Sequence, residues 1–181
     1  MDRVLQIYKT EIYKKYKKTL LLEDLSTLKD LWEDHKEINI TILIECICLQ
    51  MNIMETLDMT FYAISMEDIY MCDNIFVILG KPIKVTNNKF TFYSPPILDK
   101  KKYLHYPEFF DQKNIPCSFD KSVIYYSIGL IVLTCLASYP IFLNGVYYIN
   151  DQPICSFIEN LKGKPYFFLK RCFVNRELLF I

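Results

Sequence analysis

The segment Ser122-Val-Ile-Tyr-Tyr-Ser-Ile-Gly-Leu-Ile-Val-Leu-Thr-Cys-Leu-Ala-Ser-Tyr-Pro-Ile-Phe-Leu143 decides the fold of this chain. It lies in an uncharged stretch from Ser122 to Asn150, and Val123–Leu143 supplies the ~20 mostly apolar residues that a membrane-spanning helix requires. Its interior nevertheless carries polar groups for which lipid offers no partners. Pro140 would also end a helix that had run only from about Ser122 to Ser138. We therefore expect the central buried helix of an α-rich domain, with a single-span membrane protein through residues 123–143 as the alternative.

Composition limits the class of protein. The chain has 181 residues, 52% of them hydrophobic and 15% aromatic, which excludes a disordered chain and fits one folded domain. Basic and acidic residues number 21 each, so no global field attracts nucleic acid or anionic lipid, and we expect neither as a partner. The first eighteen residues are locally basic. We therefore divide the chain into a basic N-terminal extension or N-lobe remnant, residues 1–19, and a domain of residues 20–181.

Cysteine and histidine usage points to an intracellular protein without a metal site. The seven cysteines form no Cys-x-x-Cys pair, and the chain has only two histidines, His35 and His105. Buried reduced thiols are the favoured interpretation. Met1–Leu20 is charged and does not resemble a secretory signal, so we expect a cytoplasmic protein that binds no metal.

Local patterns predict several elements along the chain. Thr27 and Asp30 form a capping pair for a short helix to about Glu33, and apolar residues spaced by three and four predict a longer helix from Ile38 to about Leu57. The remaining predictions are a short buried strand at Leu20–Leu22, a hairpin of Asn74–Leu79 with Ile83–Thr86, a long ordered loop over Asn87–Asn114, and a helical run over Tyr166–Ile181.

Several segments in the same order resemble parts of the C-terminal lobe of eukaryotic-type protein kinases. The family contains a hinge and a following helix, a catalytic loop, a metal-binding Asp-Phe-Gly segment, the end of an activation segment, and a buried helix that begins Trp-Ser-x-Gly-Val. The similar segments here are, in that order, Leu20-Leu-Leu-Glu-Asp-Leu25, Leu28-Lys-Asp-Leu-Trp32, Glu67-Asp-Ile-Tyr-Met-Cys-Asp-Asn-Ile-Phe-Val77, Ile83-Lys-Val-Thr-Asn87, Tyr106-Pro-Glu108 and Tyr126-Ser-Ile-Gly-Leu130.

This resemblance implies a mainly α (α+β) fold, that of a kinase C-lobe with a central buried hydrophobic helix and a small β-hairpin. The N-lobe would be largely absent, because only about twenty residues precede the hinge-like segment and the first glycine is Gly80. A glycine-rich loop and a strand Lys that hold ATP phosphates therefore have no counterpart. By the same resemblance, Ser127 and Gly129 are structural residues of the buried helix.

The resemblance also assigns candidate site residues, and most depart from the family's pattern. Asp68 corresponds to the catalytic base, but Tyr70 or Met71 replaces the Lys that follows it. Asn74 and Asn87 correspond to the positions that bind Mg-ATP. Asn74 lies one place late, and Asn87 is a neutral residue where the family has a carboxylate, which holds a divalent cation better.

A further pair is implied to be structural. In the family, a Glu at the end of the activation segment and an Arg near the C-terminal end form a buried ion pair, and Glu108 and Arg176 match these positions. Asp68 as a helix cap and Asn87-Asn88 as a tight turn are the structural alternatives to the catalytic assignments.

We therefore expect a catalytically inactive, kinase-like protein without cofactor. It would act by protein–protein interaction and modulate a true kinase, as truncated C-lobe mimics of insect viruses do, in the host cytoplasm if it is viral. The expected partner surface is the one that a missing N-lobe would leave exposed, around Leu20–Leu25 and Tyr70–Val85. The first alternative is a remnant or split protein kinase that transfers phosphate from ATP to Ser or Thr, with Mg-ATP as cofactor. The second is the membrane protein described above.

Overall fold

The computed structural model describes residues 1–21, 25–94, 102–105 and 114–175, and for Asn175 the backbone only. Within these ranges the fold is a mixture of helices and short antiparallel strands. The predicted combination of α and β structure is confirmed, with more strand than the one hairpin that the sequence predicts.

In the described ranges, six α-helices form the framework. They are α1 (Asp2–Tyr16), α2 (Leu28–Glu33), α3 (Ile40–Thr56), α4 (Val123–Leu136), α5 (Ile154–Glu159) and α6 (Lys164–Lys170). A 3₁₀ turn covers Met66–Asp68, and a π-helical turn, Arg171–Asn175, continues α6.

The strands in the part of the chain that the structure describes form four small antiparallel sheets. They are β1 (Ser26–Thr27), β2 (Met59–Phe61), β3 (Ile69–Cys72), β4 (Ile75–Ile78), β5 (Pro82–Lys84), β6 (Lys89–Phe92), β7 (Cys117–Asp120), β8 (Ile141–Leu143), β9 (Val146–Ile149) and β10 (Gln152–Pro153). The sheet orders are β1-β3-β4, β10-β9-β8, β2-β5 and β6-β7.

Helix α2 begins where the sequence predicts, and α3 begins at Ile40, two residues after the predicted start; in both helices side-chain acceptors bind the first free N–H groups. Thr27 Oγ1 accepts a hydrogen bond from the Asp30 backbone N–H, and the Asp30 carboxylate accepts one in return from the Thr27 N–H, at 3.1 and 3.2 Å. Asn39 Oδ1 caps α3 by accepting from the Ile42 N–H at 3.1 Å.

Helix α4 is the central buried helix that the sequence predicts. Eleven of its fourteen residues are buried, including Tyr125, Ser127 and Thr134. The Thr134 hydroxyl donates a hydrogen bond to the Leu130 carbonyl one turn earlier in the helix. The helix ends at Leu136, ahead of Pro140, and is ~21 Å long at 1.5 Å per residue. Among the residues that the structure describes, no helix is both long enough and apolar enough to cross a membrane.

The basic N-terminal segment forms a helix that packs into the core. Val4, Tyr8 and Ile12 recur on one face of α1 and are buried in the main hydrophobic cluster. The Tyr8 hydroxyl donates to the carbonyl of Phe76 in β4. Helix α1 therefore covers β4 and α3 while its lysines lie on the outer surface.

Two predictions about strand pairing are wrong. Ile75–Ile78 and Pro82–Lys84 are both strands, but they do not form a hairpin with each other: β4 pairs with β3, and β5 pairs with β2. Residues within Asn87–Asn114 were expected to form a loop, yet Lys89–Phe92 is strand β6 and pairs with β7. The β2–β5 and β6–β7 pairs join segments that are distant in the sequence, whereas β3 and β4 are adjacent and are joined by the two-residue turn Asp73-Asn74.

The other predictions at the ends of the chain have mixed outcomes. Leu20 is buried, but Leu20 and Leu21 are not in a strand, and residues 22–24 lie outside the described part. The C-terminal helical run begins at Lys164 rather than Tyr166, and residues after 175 also lie outside the described part.

Candidate functional site

Asp68 ends the 3₁₀ turn that leads into the β3–β4 hairpin. Its Oδ2 accepts hydrogen bonds from the Ser65 backbone N–H at 2.8 Å and from the Ser65 hydroxyl at 2.7 Å, which completes a capping box. Its own carbonyl accepts from the Leu79 N–H at 2.8 Å and closes the open end of the hairpin. The carboxylate therefore has the local capping role that was the structural alternative to a catalytic base.

Asn74 lies at the opposite end of the same hairpin. Asp73 and Asn74 have positive φ values of 48° and 61°, as the two central residues of a type I′ turn require. Strand β3 separates this turn from Asp68, and its four residues rise by ~13 Å. A base and a metal ligand that act on one phosphate must lie much closer together than this, so the two residues do not share a site in this arrangement.

Asn87 is also a turn residue. Asn87 and Asn88 have φ values of 51° and 61° and connect Thr86 to Lys89, which form an antiparallel bridge. The tight turn expected from Asn87-Asn88 is confirmed. Asn87 borders a shallow surface pocket together with Glu55 and Lys121, which form an ion pair.

Ser127 and Gly129 lie on the buried surface of α4. Ser127 is 2% exposed. Gly129 faces the π-helical turn so closely that an added Cβ would lie 2.8 Å from the Cys172 Cβ and 2.8 Å from two ring atoms of Phe173. This close approach is a reason for glycine at this position, in agreement with a structural role. Glu108 and Arg176, the predicted ion pair, lie outside the described residues.

A pocket lies beside Asp68, between α2, the 3₁₀ turn, residues 102–105 and α4. Its volume is about 110 Å³. Its walls are mainly apolar, with charged residues among them. The residues that line it are Lys29, Trp32, Glu33, Ser65, Met66, Glu67, Lys102, Leu104, Ile131 and Tyr139.

The charges around this pocket are paired with one another. Glu67 accepts from the Lys29 ammonium at 2.9 Å and from the Lys102 ammonium at 2.7 Å, and Glu33 Oε1 lies 4.0 Å from the Lys29 nitrogen. Hydrogen bonds from Lys102 and Lys29 lower the pKa of Glu67, and the same contacts raise the pKa of both lysines. The two lysines and two glutamates of this network carry equal and opposite formal charges.

The pocket wall is held by interactions from distant parts of the chain. The Trp32 indole N–H donates to the Thr134 carbonyl of α4 at 3.1 Å, which fixes the indole against the central helix. Tyr139 follows α4 and is 42% exposed, so it lines the pocket at the protein surface. Sequence analysis did not identify this pocket, because its residues come from four separate segments.

A second surface is the hairpin of β8 and β9, which follows Pro140. Strand β8 is exposed on both of its faces, with Ile141 and Leu143 at 59% and 56%, and Val146 at the start of β9 is also exposed. Tyr147 and Ile149 of β9 point into the main core and anchor the hairpin. In the part of the chain that the structure describes, β8 pairs with β9 alone, so one edge of the strand is open.

The local signal for this hairpin was present in the sequence. Asn144-Gly145 is a strong two-residue hairpin signal, and both residues have positive φ, 49° and 81°. Sequence analysis places Ile141–Leu143 at the end of the apolar run and the residues after it in a polar link, so it does not predict this hairpin. Within the expected partner surface, Ile75–Ile78 is buried and Tyr8 of α1 contacts it, whereas Leu21 is 59% exposed and the turn at Asp73 and Asn74 is also exposed.

No group of His, Cys, Asp and Glu residues that could hold a metal ion occurs among the described residues. Comparison with protein-family models, curated proteins and solved structures finds no match to this chain.

Proposed function

We propose that this protein acts by binding another protein and transfers no phosphate. The observation that carries the proposal is the apolar β8–β9 hairpin. An exposed strand with an open edge and apolar side chains on both faces is a surface that proteins normally cover or blunt with charge. Here Ile141 and Leu143 project from it, and no charged residue lies between Ser122 and Asn150.

The positions that resemble a kinase active site support the absence of phosphoryl transfer. Such transfer depends on metal ligands and a base that converge on one phosphate. Asp68 is engaged in a cap, and Asn74 and Asn87 occupy two separate turns. Each of the three residues thus has a local structural role that accounts for its presence.

We further propose that the fold is related to a kinase C-lobe and that the partner is a protein kinase, whose activity the protein modulates. The support is the order of similar sequence segments together with the buried central helix and its Gly129 contact. Truncated C-lobe mimics that inhibit a host kinase provide the precedent for such a mechanism.

Affinity capture with matched variants tests this proposal. The double variant Ile141→Asp and Leu143→Asp removes the apolar edge, and Tyr93→Ser is the control because Tyr93 is 81% exposed outside the hairpin. We expect the unmodified protein and the control to capture a protein kinase, identified by mass spectrometry, and the double variant to lose it. Repeated capture experiments without any kinase, or capture that the double variant retains, would contradict the proposal.

Titration with Mg-ATP tests the competing enzyme. A ligand at a hundred times its Kd stabilises the native state by ~2.7 kcal/mol, which a thermal-shift assay detects. We expect no shift. A saturable increase in melting temperature would favour the split or remnant kinase instead.

A further inference from the structure

The pocket beside Asp68 combines apolar walls with charges that already have partners. Leu104 and Ile131 are buried at its base, and Trp32 and Met66 add apolar surface. The lysines contact Glu67 at 2.7 and 2.9 Å. A charged ligand would have to displace one of these contacts, whereas an uncharged apolar group would leave them intact and shield them from water.

The size of the pocket restricts the ligand. A dry apolar cavity of ~150 Å³ is large enough for benzene. The pocket here is about 110 Å³, which favours one aliphatic side chain such as leucine or isoleucine over an aromatic one. A side chain that fills a well-packed, desolvated pocket can carry a large share of the binding free energy of an interface.

The position of the pocket connects it to the open strand. Tyr139 lines the pocket at the surface, and Ile141, two residues later, begins β8. Two residues of extended chain span at most ~7 Å. One extended segment of a partner can therefore reach both the pocket and the β8 edge, and the β8 edge offers main-chain hydrogen bonds to such a segment.

We infer that this pocket receives one uncharged aliphatic side chain, of leucine or isoleucine size, from an extended segment of the bound partner. The inference rests on the proposed function, because it names the chemistry by which that partner is recognised. The aliphatic side chain supplies affinity in the pocket, and pairing with β8 supplies orientation.

A fluorescence titration tests the pocket directly, because Trp32 is the only tryptophan in the chain and lies in its wall. The probes are N-acetyl-leucine amide and N-acetyl-aspartate amide, each titrated to its solubility limit. We expect a saturable change in Trp32 emission with the leucine probe and at least tenfold weaker binding of the aspartate probe. Equal binding of the two probes, or no response to the leucine probe, would overturn the inference.

Two variants test whether the leucine probe binds in this pocket. Leu104→Phe fills the base, and Tyr139→Ala removes a half-exposed part of the wall, with Tyr93→Ser as the control outside the pocket. We expect leucine-probe binding to be at least fivefold weaker in these two variants. In the control, binding should be unchanged. If Leu104→Phe does not fold, as judged by circular dichroism, Tyr139→Ala decides. Unchanged binding in Tyr139→Ala would exclude this pocket.

The same variants separate the two proposals. Partner capture without any binding of the leucine probe would refute the pocket while the proposed function stands. Probe binding without partner capture would refute the proposed function and the partner as occupant, and would assign the pocket to a free aliphatic molecule. Loss of both capture and probe binding in Tyr139→Ala, with both retained in Tyr93→Ser, is the result we expect.

Discussion

The substitution Gly129→Ala tests how tightly the central helix is seated. An added Cβ at this position would lie 2.8 Å from the Cys172 Cβ and from two ring atoms of Phe173. Ordinary contacts between carbon atoms occur at ~3.5–4.0 Å. The phenyl ring can rotate away, but the Cys172 Cβ moves only with its backbone, and Cys172 is fully buried. The π-helical turn must therefore shift by at least ~0.7 Å away from α4.

The expected cost is the difference between two opposing effects. Overpacking a well-packed core typically costs ~1–3 kcal/mol, and the fixed Cβ contact places this site near the upper value. Alanine is better than glycine in a helix by ~1 kcal/mol, which offsets part of the loss. We expect a net loss of ~2 kcal/mol, or a decrease in melting temperature of ~4–8 °C for a chain of this size. Thermal and urea denaturation followed by circular dichroism measure it.

A double-mutant cycle identifies the source of the effect. In a Phe173→Ala background the ring contacts are gone but the Cys172 Cβ contact remains, so Gly129→Ala should still cost most of its ~2 kcal/mol there. Gly145→Ala is a useful comparison, since nothing lies within 4 Å of its added Cβ and only its positive φ resists the change. If Gly129→Ala is neutral, or stabilises as alanine does at an exposed helical site, the proposed seating of α4 on the π-helical turn is wrong.

Three further substitutions probe buried and site-adjacent polar groups. Gln50→Leu should lower the free energy of unfolding in urea by ~2–4 kcal/mol. The Gln50 side-chain amide bonds both the N–H and the C=O of Ile78, at 2.8 and 2.7 Å, and both backbone groups would lose their partner. A loss under ~1 kcal/mol would contradict this. Burial alone would raise the pKa of Glu45, but hydrogen bonds from Lys15, Lys164 and Tyr16 outweigh it and lower the pKa from 4.5 to about 2. The ionised Glu45 therefore stabilises the fold fully above pH 4.5, and this stabilisation is lost as the pH falls toward 2. Glu45→Gln should remove ~1–2 kcal/mol of this pH-dependent stability, allowing for solvent screening. An unchanged profile of stability against pH would refute this role of Glu45. Asp68→Ala should lower stability by ~1 kcal/mol because the cap is lost. In a thermal-shift assay the loss should be the same with and without Mg-ATP. A loss that depends on Mg-ATP would favour the split or remnant kinase.

The elements that sequence analysis located correctly are those whose signals are local. The start of α2 follows from Thr27 and Asp30, three residues apart, and the buried α4 follows from a long apolar run followed by Pro140. Capping and apolar periodicity act within one or two helical turns, so their consequences can be derived from a short window.

Strand pairing and the pocket could not be derived in the same way. Strand β5 pairs with β2, which precedes it by some twenty residues, and no residue in either strand specifies the other. The pocket joins Lys29, Glu67 and Lys102, which are separated by intervening elements and carry no shared motif. Charge pairs of this kind become visible only after the fold has brought the segments together.

Helix α1 covers part of the surface on which the resemblance to a C-lobe predicts a partner. The resemblance to a C-lobe suggested that residues 70–85 face an absent lobe and remain exposed. Instead Tyr8 and Ile12 of α1 are fully buried against the core, and Glu45 of α3 binds Lys15 at 2.6 Å and Lys164 of α6 at 2.5 Å. Helix α1 thus covers the strand Ile75–Ile78 within that surface, while Leu21 stays 59% exposed. The β8–β9 hairpin leaves Ile141 and Leu143 exposed near the pocket at Tyr139, and removing such apolar area from water is what favours association with another protein.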